Sequence, residues 1–314
     1  MGESPRARSV RAVAVNKIGA CRTWGPAREP GGVEMAVASV VIPAHNEAAT
    51  IGRNLAALRE GTRGGDLEVV VVCNGCTDRT ADVARAADPA ARVIEIPQPS
   101  KAEAVRVGNA ATDVFPRIHL DADIELDGAA ALRLIEPITR DEVLATAPRR
   151  DVPRTGCSRW VRWYYDVWEA LPQVESGLFG RGVVVLSEQG QARVTALPRM
   201  MSDDLGMSDS FTSEERRVVP SAVAVVHPPR TVRDLVRRRI RIATGYTQAA
   251  RLGGRRPASA TGARTLLGLA VTRPGRALRL PVFVAVHVAA RLGAREALRS
   301  GDFTTWQRDE SSRT

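Results

Sequence analysis

Alternating strand and helix patterns in the first 120 residues restrict the fold of this chain more than any other feature. Short runs of Val, Ile and Leu, typical of strands buried on both faces, alternate with longer amphipathic segments. This order of elements is typical of an α/β domain with a mainly parallel central sheet and helices on both faces. We predict strands at 37–42, 67–72, 92–96 and 117–120, and helices at 47–60, 78–87 and 101–115.

The second half of the sequence has a less regular pattern. A helix at 157–171 holds three of the five tryptophans, and a glycine-rich loop at 177–182 follows it. Trp160, Trp163 and Trp168 have helical spacing, which favours packing against the sheet, although aromatic rings also stack on sugars. Later elements are strands at 183–186 and 221–226, a basic helix at 231–248 and a last helix at 281–299.

A polar cluster follows each of the four predicted strands. The clusters are Pro-Ala-His-Asn-Glu at 43–47, Asn-Gly-Cys-Thr-Asp at 74–78, Ser100-Lys101, and Asp121-Ala122-Asp123. Open α/β sheets bind ligands at the carboxyl ends of their strands, so the four clusters should converge on one crevice. Two carboxylates there can hold a divalent cation and, through it, a diphosphate. Lys101 is one of only two lysines in a chain that otherwise uses Arg, which indicates a site for a compact ammonium.

In this order the four clusters resemble the motifs of the family-2 glycosyltransferases, which have the GT-A (nucleotide-diphospho-sugar transferase) fold. The resemblance covers about residues 37–248. It implies an inverting enzyme that moves one sugar from a nucleotide-diphosphate donor to a lipid-linked or small-molecule acceptor. It also implies a Mg²⁺ or Mn²⁺ ion held by Asp123. The residues that would bind the donor nucleotide are Pro43, His45, Glu47, Asn74, Asp78, Lys101 and Asp121.

The donor base stays open between uridine and guanosine. The family carries an acid where this sequence has Asn74, and an amide can either donate or accept a hydrogen bond. Both a UDP-sugar and a GDP-sugar are therefore compatible with the sequence.

Two later motifs extend the resemblance. Asp203-Asp204 resembles the family segment that supplies the catalytic base, with Asp204 as the base and Asp203 orienting the loop. A carboxylate suits this role, because the acceptor hydroxyl loses its proton as it attacks; the alternative is that Asp203 caps a helix. Arg238, Arg239 and Arg241 resemble the family's Arg-x-Arg element and would clamp the diphosphate, unless they form a solvated basic face. Trp163, Phe179 and Gly180 are the candidate acceptor residues.

Charge is concentrated in the C-terminal third. Residues 227–300 contain sixteen Arg but only Asp234 and Glu296 as acids, in a chain with a net charge of +10. Such a segment could face nucleic acid, an anionic membrane or substrate phosphates. The apolar run at 280–290, flanked by Arg279 and Arg291, is too short to cross a bilayer but could lie in its interface. We therefore expect a cytoplasmic enzyme, peripheral at the inner face of the plasma membrane.

Alternative functions must account for the same residues. A nucleic-acid-binding protein would explain the basic segment, but the segment has few aromatics for base stacking, so no nucleic-acid partner is expected. A nucleotide-sugar-binding subunit without turnover would leave Asp203 and Asp204 unexplained. Cys73 and Cys76 form a C-x-x-C pair, as in redox proteins, yet that reading leaves the aspartates unexplained.

The domain organisation follows from these patterns. Residues 1–35 are predicted to be a disordered arm, or a stretch upstream of a true start at Met35. The catalytic GT-A domain is predicted at 36–250 and a linker at 251–264. A basic helical C-terminal extension, associated with a membrane surface, is predicted at 265–314.

Overall fold

A computed structural model describes residues 36–196, 207–251 and 261–300. Within these ranges the chain forms one eight-stranded sheet with the strand order β3-β2-β1-β4-β7-β6-β8-β5. The strands are β1 Ala38–Ala44, β2 Leu67–Asn74, β3 Arg92–Ile96, β4 Arg117–Leu120, β5 Glu125–Leu126, β6 Ala145–Asp151, β7 Val183–Leu186 and β8 Arg216–Val225.

The sheet is mostly parallel. Strands β3, β2, β1 and β4 form a parallel block, and β6 runs parallel to β8. Strand β7 pairs antiparallel with both β4 and β6, and β5 pairs antiparallel with β8. The predicted α/β fold with a mainly parallel sheet is confirmed.

The helices of the described ranges cover both faces of the sheet. They are α1 Ile51–Arg59, α2 Thr80–Ala87, α3 Lys101–Ala110, α4 Gly128–Thr139, α5 Arg159–Trp168, α6 Pro172–Ser176, α7 Glu188–Thr195, α8 Val232–Arg251, α9 Ala263–Thr272, α10 Pro274–Ala277 and α11 Leu280–Ser300. Helix α3 packs on β1 and β2, where a Cβ on Gly108 would come within 2.4 Å of Val41 Cγ1. Glycine therefore allows the close approach of helix and sheet at this position.

The strands contribute uncharged side chains to the core, and helices contribute many of its other residues. Val40, Val41, Val70 and Val72 are fully buried, as expected for central strands covered on both faces. Burial of such side chains stabilises the fold by about 1.5–3 kcal/mol each. The block of four parallel strands is thus a rigid support for the loops at its carboxyl edge.

Three element boundaries differ from the sequence prediction by four residues or more. Helix α1 begins at Ile51 rather than at 47, because the preceding residues form a loop in which Asn46 has a left-handed φ of 52°. Helix α3 ends at Ala110 rather than at 115. Pro116 disfavours helical geometry in the residue before it, Phe115, so the helix cannot extend to that residue. Strand β8 begins at Arg216 rather than at 221, because β6 pairs with β8 from Ala145↔Arg216 to Asp151↔Val225.

Candidate functional site

The loops after β1 and β2 are joined by hydrogen bonds. Asn46 Oδ1 accepts from Thr77 N at 2.7 Å, and the Asn46 backbone N–H lies 3.3 Å from Cys76 Sγ. The His45 ring contacts the carbonyl oxygen of Asn74. Two segments thirty residues apart in sequence therefore form one surface at the carboxyl edge of the sheet.

Asp78 and Glu47 hold this surface in place. Asp78 Oδ2 accepts from the backbone N–H of Ala48 at 3.2 Å, and Asp78 Oδ1 accepts from Thr80 N at 3.0 Å. Glu47 is buried, and its Oε2 accepts from Thr50 Oγ1 at 3.0 Å. Carboxylates that accept backbone N–H groups near helix starts are stabilising. Both acids therefore shape the loops, whatever ligand those loops bind.

Asn74 carries an unsatisfied acceptor. Its Nδ2 donates to Ala44 O at 2.8 Å, which fixes the amide orientation, because a carbonyl oxygen can only accept. Asn74 is buried, and its Oδ1 has no hydrogen-bond partner among the described residues. Buried polar atoms are nearly always hydrogen-bonded, so this oxygen is suited to a ligand N–H.

Lys101 and Asp121 form an ion pair at the same edge. Lys101 Nζ lies 2.7 Å from Asp121 Oδ1, and the two side chains are 37% and 39% exposed. Lys101 is the first residue of α3, whose start is capped by Ser100 Oγ, 3.2 Å from Glu103 N. An exposed pair of this kind contributes at most about 1 kcal/mol to stability. Both charges therefore remain accessible to a ligand.

A residue that the sequence analysis missed supports the Asp-x-Asp loop. Asn54 Nδ2 donates to Ala122 O at 2.6 Å, and the backbone N–H of Ile124 donates to Asp121 O at 3.1 Å. Asn54 is 1% exposed, on the face of α1 that also buries Leu55 and Leu58. In the sequence, the signal for this role was an amide side chain at a position of α1 that otherwise carries apolar residues.

A second missed group lies beside the Asp-x-Asp loop. His227 Nε2 is 3.0 Å from Glu125 Oε1, and Arg53 lies 3.2 Å from the same carboxylate oxygen. Strand β5 pairs with β8 in the register Glu125↔Val225. Continuing that register by two residues would set His227 opposite Asp123.

The donor set suits a hard divalent cation. Among the described residues, no group of three His, Cys, Asp or Glu side chains is arranged to hold a metal ion. Asp121 and Asp123 nevertheless bring two carboxylates to one loop. Mg²⁺ commonly takes one or two protein carboxylates and completes its coordination with phosphate oxygens and water. A metal shared with a diphosphate therefore fits these residues.

Two buried arginines hold the loop at 177–182. Arg181 donates to the carbonyls of Gly177 at 2.9 Å, Pro148 at 2.8 Å and Glu175 at 2.7 Å. Arg150 reaches the carbonyls of Phe179 and Gly180 and lies 4.5 Å from the centre of the Trp168 ring. Burial lowers the pKa of Arg181 to about 9 and that of Arg150 to about 10. Both guanidinium groups are still charged at neutral pH, and carbonyl oxygens solvate them.

The predicted acceptor residues are only partly brought together. Phe179 and Gly180 lie in this arginine-held loop. Trp163 instead packs edge-on against Trp160, with ring centroids 5.3 Å apart. The aromatic residue beside the loop is Trp168, whose ring would lie 3.1 Å from a Cβ on Gly180. Trp168 is therefore the tryptophan that the structure places at the candidate acceptor loop.

The arginines of α8 have different surroundings. Arg238 Nη1 lies 3.5 Å from His227 O, which links it to the edge that carries the Asp-x-Asp loop. Arg239 Nη2 lies 3.2 Å from His287 Nε2, and Arg239 Cζ lies 6.0 Å from the centre of the Tyr164 ring. Arg241 is half-buried on the same helix. Diphosphate binding by these three residues stays a prediction.

The proposed base lies outside the described residues, because Asp203 and Asp204 fall in the gap between 196 and 207. The remaining donor residue, Pro43, lies in β1 next to Ala44, which accepts the Asn74 amide. The roles of these residues also stay predictions.

The cysteine pair does not have the properties of a redox nucleophile. Burial, together with the neighbouring Cys76 thiol, raises the pKa of Cys73 to about 12. Reactive cysteines have a lowered pKa, because the thiolate is the nucleophile. Cys76 instead lies 3.6 Å from Ala44 O and helps to join the first two loops.

Comparisons with known proteins bear on the family and the fold. The profile of glycosyl transferase family 2 matches residues 39–180, which include β1 to β4 and the loops after them. Residues 39–180 thus form a family-2 glycosyltransferase domain, and the chain is a glycosyltransferase. The sequence matches no curated protein at a significant level.

Solved structures show the same fold. The mannosyltransferase PcManGT from Pyrobaculum calidifontis, in complex with GDP-Man and Mn²⁺, has a TM-score of 0.54 and 20% identity, over 89% of this chain and 83% of that chain. Glucosyl-3-phosphoglycerate synthase from Mycobacterium tuberculosis, in complex with Mn²⁺, UDP-Glc and phosphoglyceric acid, has a TM-score of 0.52 and 24% identity, over 73% of this chain and 87% of that chain. The GT-A fold is thereby confirmed.

Proposed function

We propose that this enzyme transfers one sugar from a UDP- or GDP-sugar to a hydroxyl group of a lipid-linked or small-molecule acceptor, with inversion at the anomeric carbon. The observation that carries the proposal is the convergence of the β1, β2 and β4 loops and Lys101 on one edge of the sheet. That edge presents an unsatisfied amide oxygen, an ammonium and two carboxylates. A base, a diphosphate and its counter-ion require this combination of groups.

The donor half of the site would work as follows. Asn74 Oδ1 would accept from a ring N–H that lies next to a carbonyl in both bases, N3–H of uracil or N1–H of guanine, which explains why the base identity stays open. Asp121, held by Lys101, would lie at the ribose, and Asp123 would hold Mg²⁺ or Mn²⁺. The ion would neutralise the charge that develops on the departing nucleoside diphosphate. His227 is a further candidate ligand because it lies beside Glu125, two residues after Asp123.

The solved structures that share the fold support a nucleotide sugar and a divalent ion. One is a complex with GDP-Man and Mn²⁺, and another is a complex with Mn²⁺ and UDP-Glc. The two nucleotides differ between these structures, so both donors belong to the proposal.

In the acceptor half, Asp204 would take the proton from the attacking hydroxyl and Asp203 would orient the segment. The sugar would then add to the face opposite the departing diphosphate. The loop at 177–182, with Phe179 and Gly180, would border the acceptor together with Trp168 or Trp163.

Turnover by the Asp204→Asn variant tests the base assignment. We expect normal folding, unchanged nucleotide affinity and a rate lowered by about 10²- to 10⁴-fold, the range for loss of one general base. Asp209→Asn, a nearby substitution outside the motif, is the control and should keep its rate. Full activity of Asp204→Asn would refute the assignment, and the anomeric configuration of the product would decide between inversion and retention.

A further inference from the structure

Exposed large apolar side chains are concentrated in one segment of the chain. Among the described residues, seven large hydrophobic side chains are exposed, and six of them lie between residues 267 and 292. Soluble surfaces tolerate single residues of this kind, whereas a concentration of them marks a contact surface. The six are Leu267, Val271, Leu278, Val284, Val288 and Leu292, and we call them the apolar surface.

Helix α11 has two apolar faces. Phe283, Val286, Ala290 and Ala294 are buried, and the helix packs on α5 and α8. Val284, Val288 and Leu292 follow a spacing of four residues and are 42%, 48% and 58% exposed. From the sequence alone, the whole run at 280–290 could lie in a membrane interface. In the structure only part of this run is accessible. Phe283 belongs to the core, whereas Val284 and Val288 are exposed.

Helix α9 repeats this pattern. Leu267 and Val271 are one helical turn apart and are 68% and 75% exposed, whereas Leu269 between them is buried. Leu278, which follows α10, is 82% exposed. Helices α9 and α11 therefore each bury some apolar side chains and expose others to solvent.

The charges around the apolar surface have one sign. Arg264, Arg273, Arg291 and Arg295 are exposed, and Glu296 is the only acid between residues 261 and 300. Arg279 is already paired with Asp166 at 2.6 Å. A second copy of this surface would bring arginines against arginines, which disfavours self-association. A negatively charged partner with an apolar interior matches both properties.

We propose that the apolar surface binds the face of an anionic lipid bilayer. The apolar stripes would enter the boundary between headgroups and acyl chains, and the arginines would contact lipid phosphates. None of the described helices is long and apolar enough to cross a membrane, so this contact is with one leaflet. The inference concerns where the enzyme binds and does not depend on its donor or its catalytic base.

Vesicle sedimentation of the full chain tests the proposal. We expect binding to vesicles of phosphatidylglycerol and phosphatidylcholine in equal parts, little binding to pure phosphatidylcholine, and a decrease as salt is raised. Arg291→Gln/Arg295→Gln should weaken binding about 30-fold, since each arginine near an anionic surface contributes about fivefold. Val284→Ser/Val288→Ser/Leu292→Ser should weaken it at unchanged charge.

The matched control is Arg140→Gln/Arg217→Gln, which removes the same charge from exposed positions outside the segment. It should bind vesicles as the wild type does. Equal loss in this control would mean non-specific charge attraction, and equal binding to both vesicle types would mean no anionic preference; either result would overturn the proposal. A wild-type dimer that the triple Ser variant converts to a monomer, without vesicle binding, would assign the surface to self-association instead. Nucleotide-dependent thermal stabilisation of the same samples separates failure of this proposal from failure of the proposed function.

Discussion

The proposed donor and acceptor halves of the site are held together by different means. Around the donor loops, short polar side chains such as Asn46 and Asp78 bond to backbone N–H groups, and each contact is one of several. Around the proposed acceptor loop, two buried guanidinium groups donate to carbonyl oxygens, and within the described ranges their hydrogen-bond partners include no carboxylate. In the donor loops, stability is therefore distributed over many weak hydrogen bonds. At the acceptor loop, it depends on two arginine side chains.

Removal of Arg181 should have the largest effect on stability. Arg181→Met leaves the carbonyls of Gly177, Pro148 and Glu175 without their donor. We expect the free energy of unfolding to fall by about 3–5 kcal/mol, measured by urea denaturation. Arg149→Met is the matched control, because Arg149 is an exposed residue of β6, and it should change stability by less than about 0.5 kcal/mol. Similar losses in both variants would contradict the difference between the two halves.

Acidification should destabilise the fold through two histidines, His119 and His287, that burial keeps neutral. Burial lowers the pKa of His119 in β4 and of His287 in α11 to about 4, from an ordinary value of 6.5. Between pH 6.5 and pH 4 the unfolded chain binds protons that the folded chain does not, so stability falls as the pH falls. His287→Gln should reduce this decrease by up to about 3 kcal/mol, measured as unfolding free energy against pH. A pH profile identical to that of the wild type would contradict the buried neutral state of His287.

Asn54 tests how firmly the donor half positions the Asp-x-Asp loop. Asn54→Ala removes the donor to Ala122 O and should lower the free energy of unfolding by about 1–3 kcal/mol. We also expect Mn²⁺-dependent nucleotide affinity to fall more than metal-independent affinity, measured by titration calorimetry. Glu60→Ala, an exposed change at the end of α1, is the control. A loss of stability without any change in the metal dependence would reduce Asn54 to a packing role.

Lys101 should affect binding without affecting stability. The Lys101–Asp121 pair is more than one third exposed, so its contribution to folding is small. Lys101→Gln should weaken nucleoside-diphosphate binding about tenfold, as expected for one charge-assisted hydrogen bond, and leave the melting temperature of the unliganded protein nearly unchanged. Lys101→Arg should recover part of the affinity. A lower melting temperature with unchanged affinity would make Lys101 structural.

The predictable part of this fold is the part with local signals. Strands β1 and β2 could be predicted because each contains a continuous apolar run, and β3 and β4 could be predicted from shorter apolar stretches between helical patterns. The loops after the strands carry the recognisable polar clusters. No element was assigned between residues 124 and 156, where the structure has β5, α4 and β6. Strand β6 reads Ala-Thr-Ala-Pro-Arg-Arg-Asp, a composition that disfavours strands. Pairing with β7 and β8 overrides that local preference.

The same distinction applies to the site. The candidate donor residues could be proposed because polar clusters follow the predicted strands, and their role in binding stays a prediction. Asn54 was missed because its role depends on a loop 68 residues away, and His227 because it meets Glu125 across 102 residues. Trp168 was indistinguishable from Trp163 by helical spacing alone. Only its position over Arg150 and beside Gly180 sets it apart.

The central claim is that the carboxyl edge of the sheet binds a nucleoside diphosphate through a metal at Asp123. Thermal unfolding with UDP or GDP, each with and without Mn²⁺, tests this claim most directly in the wild type and in Asp123→Asn. A ligand at 100 times its Kd stabilises the native state by about 2.7 kcal/mol, which is readily detected. We predict a Mn²⁺-dependent rise in melting temperature with one of the two nucleotides, and its loss in Asp123→Asn. No rise with either nucleotide, or a rise that Asp123→Asn leaves intact, would contradict the account.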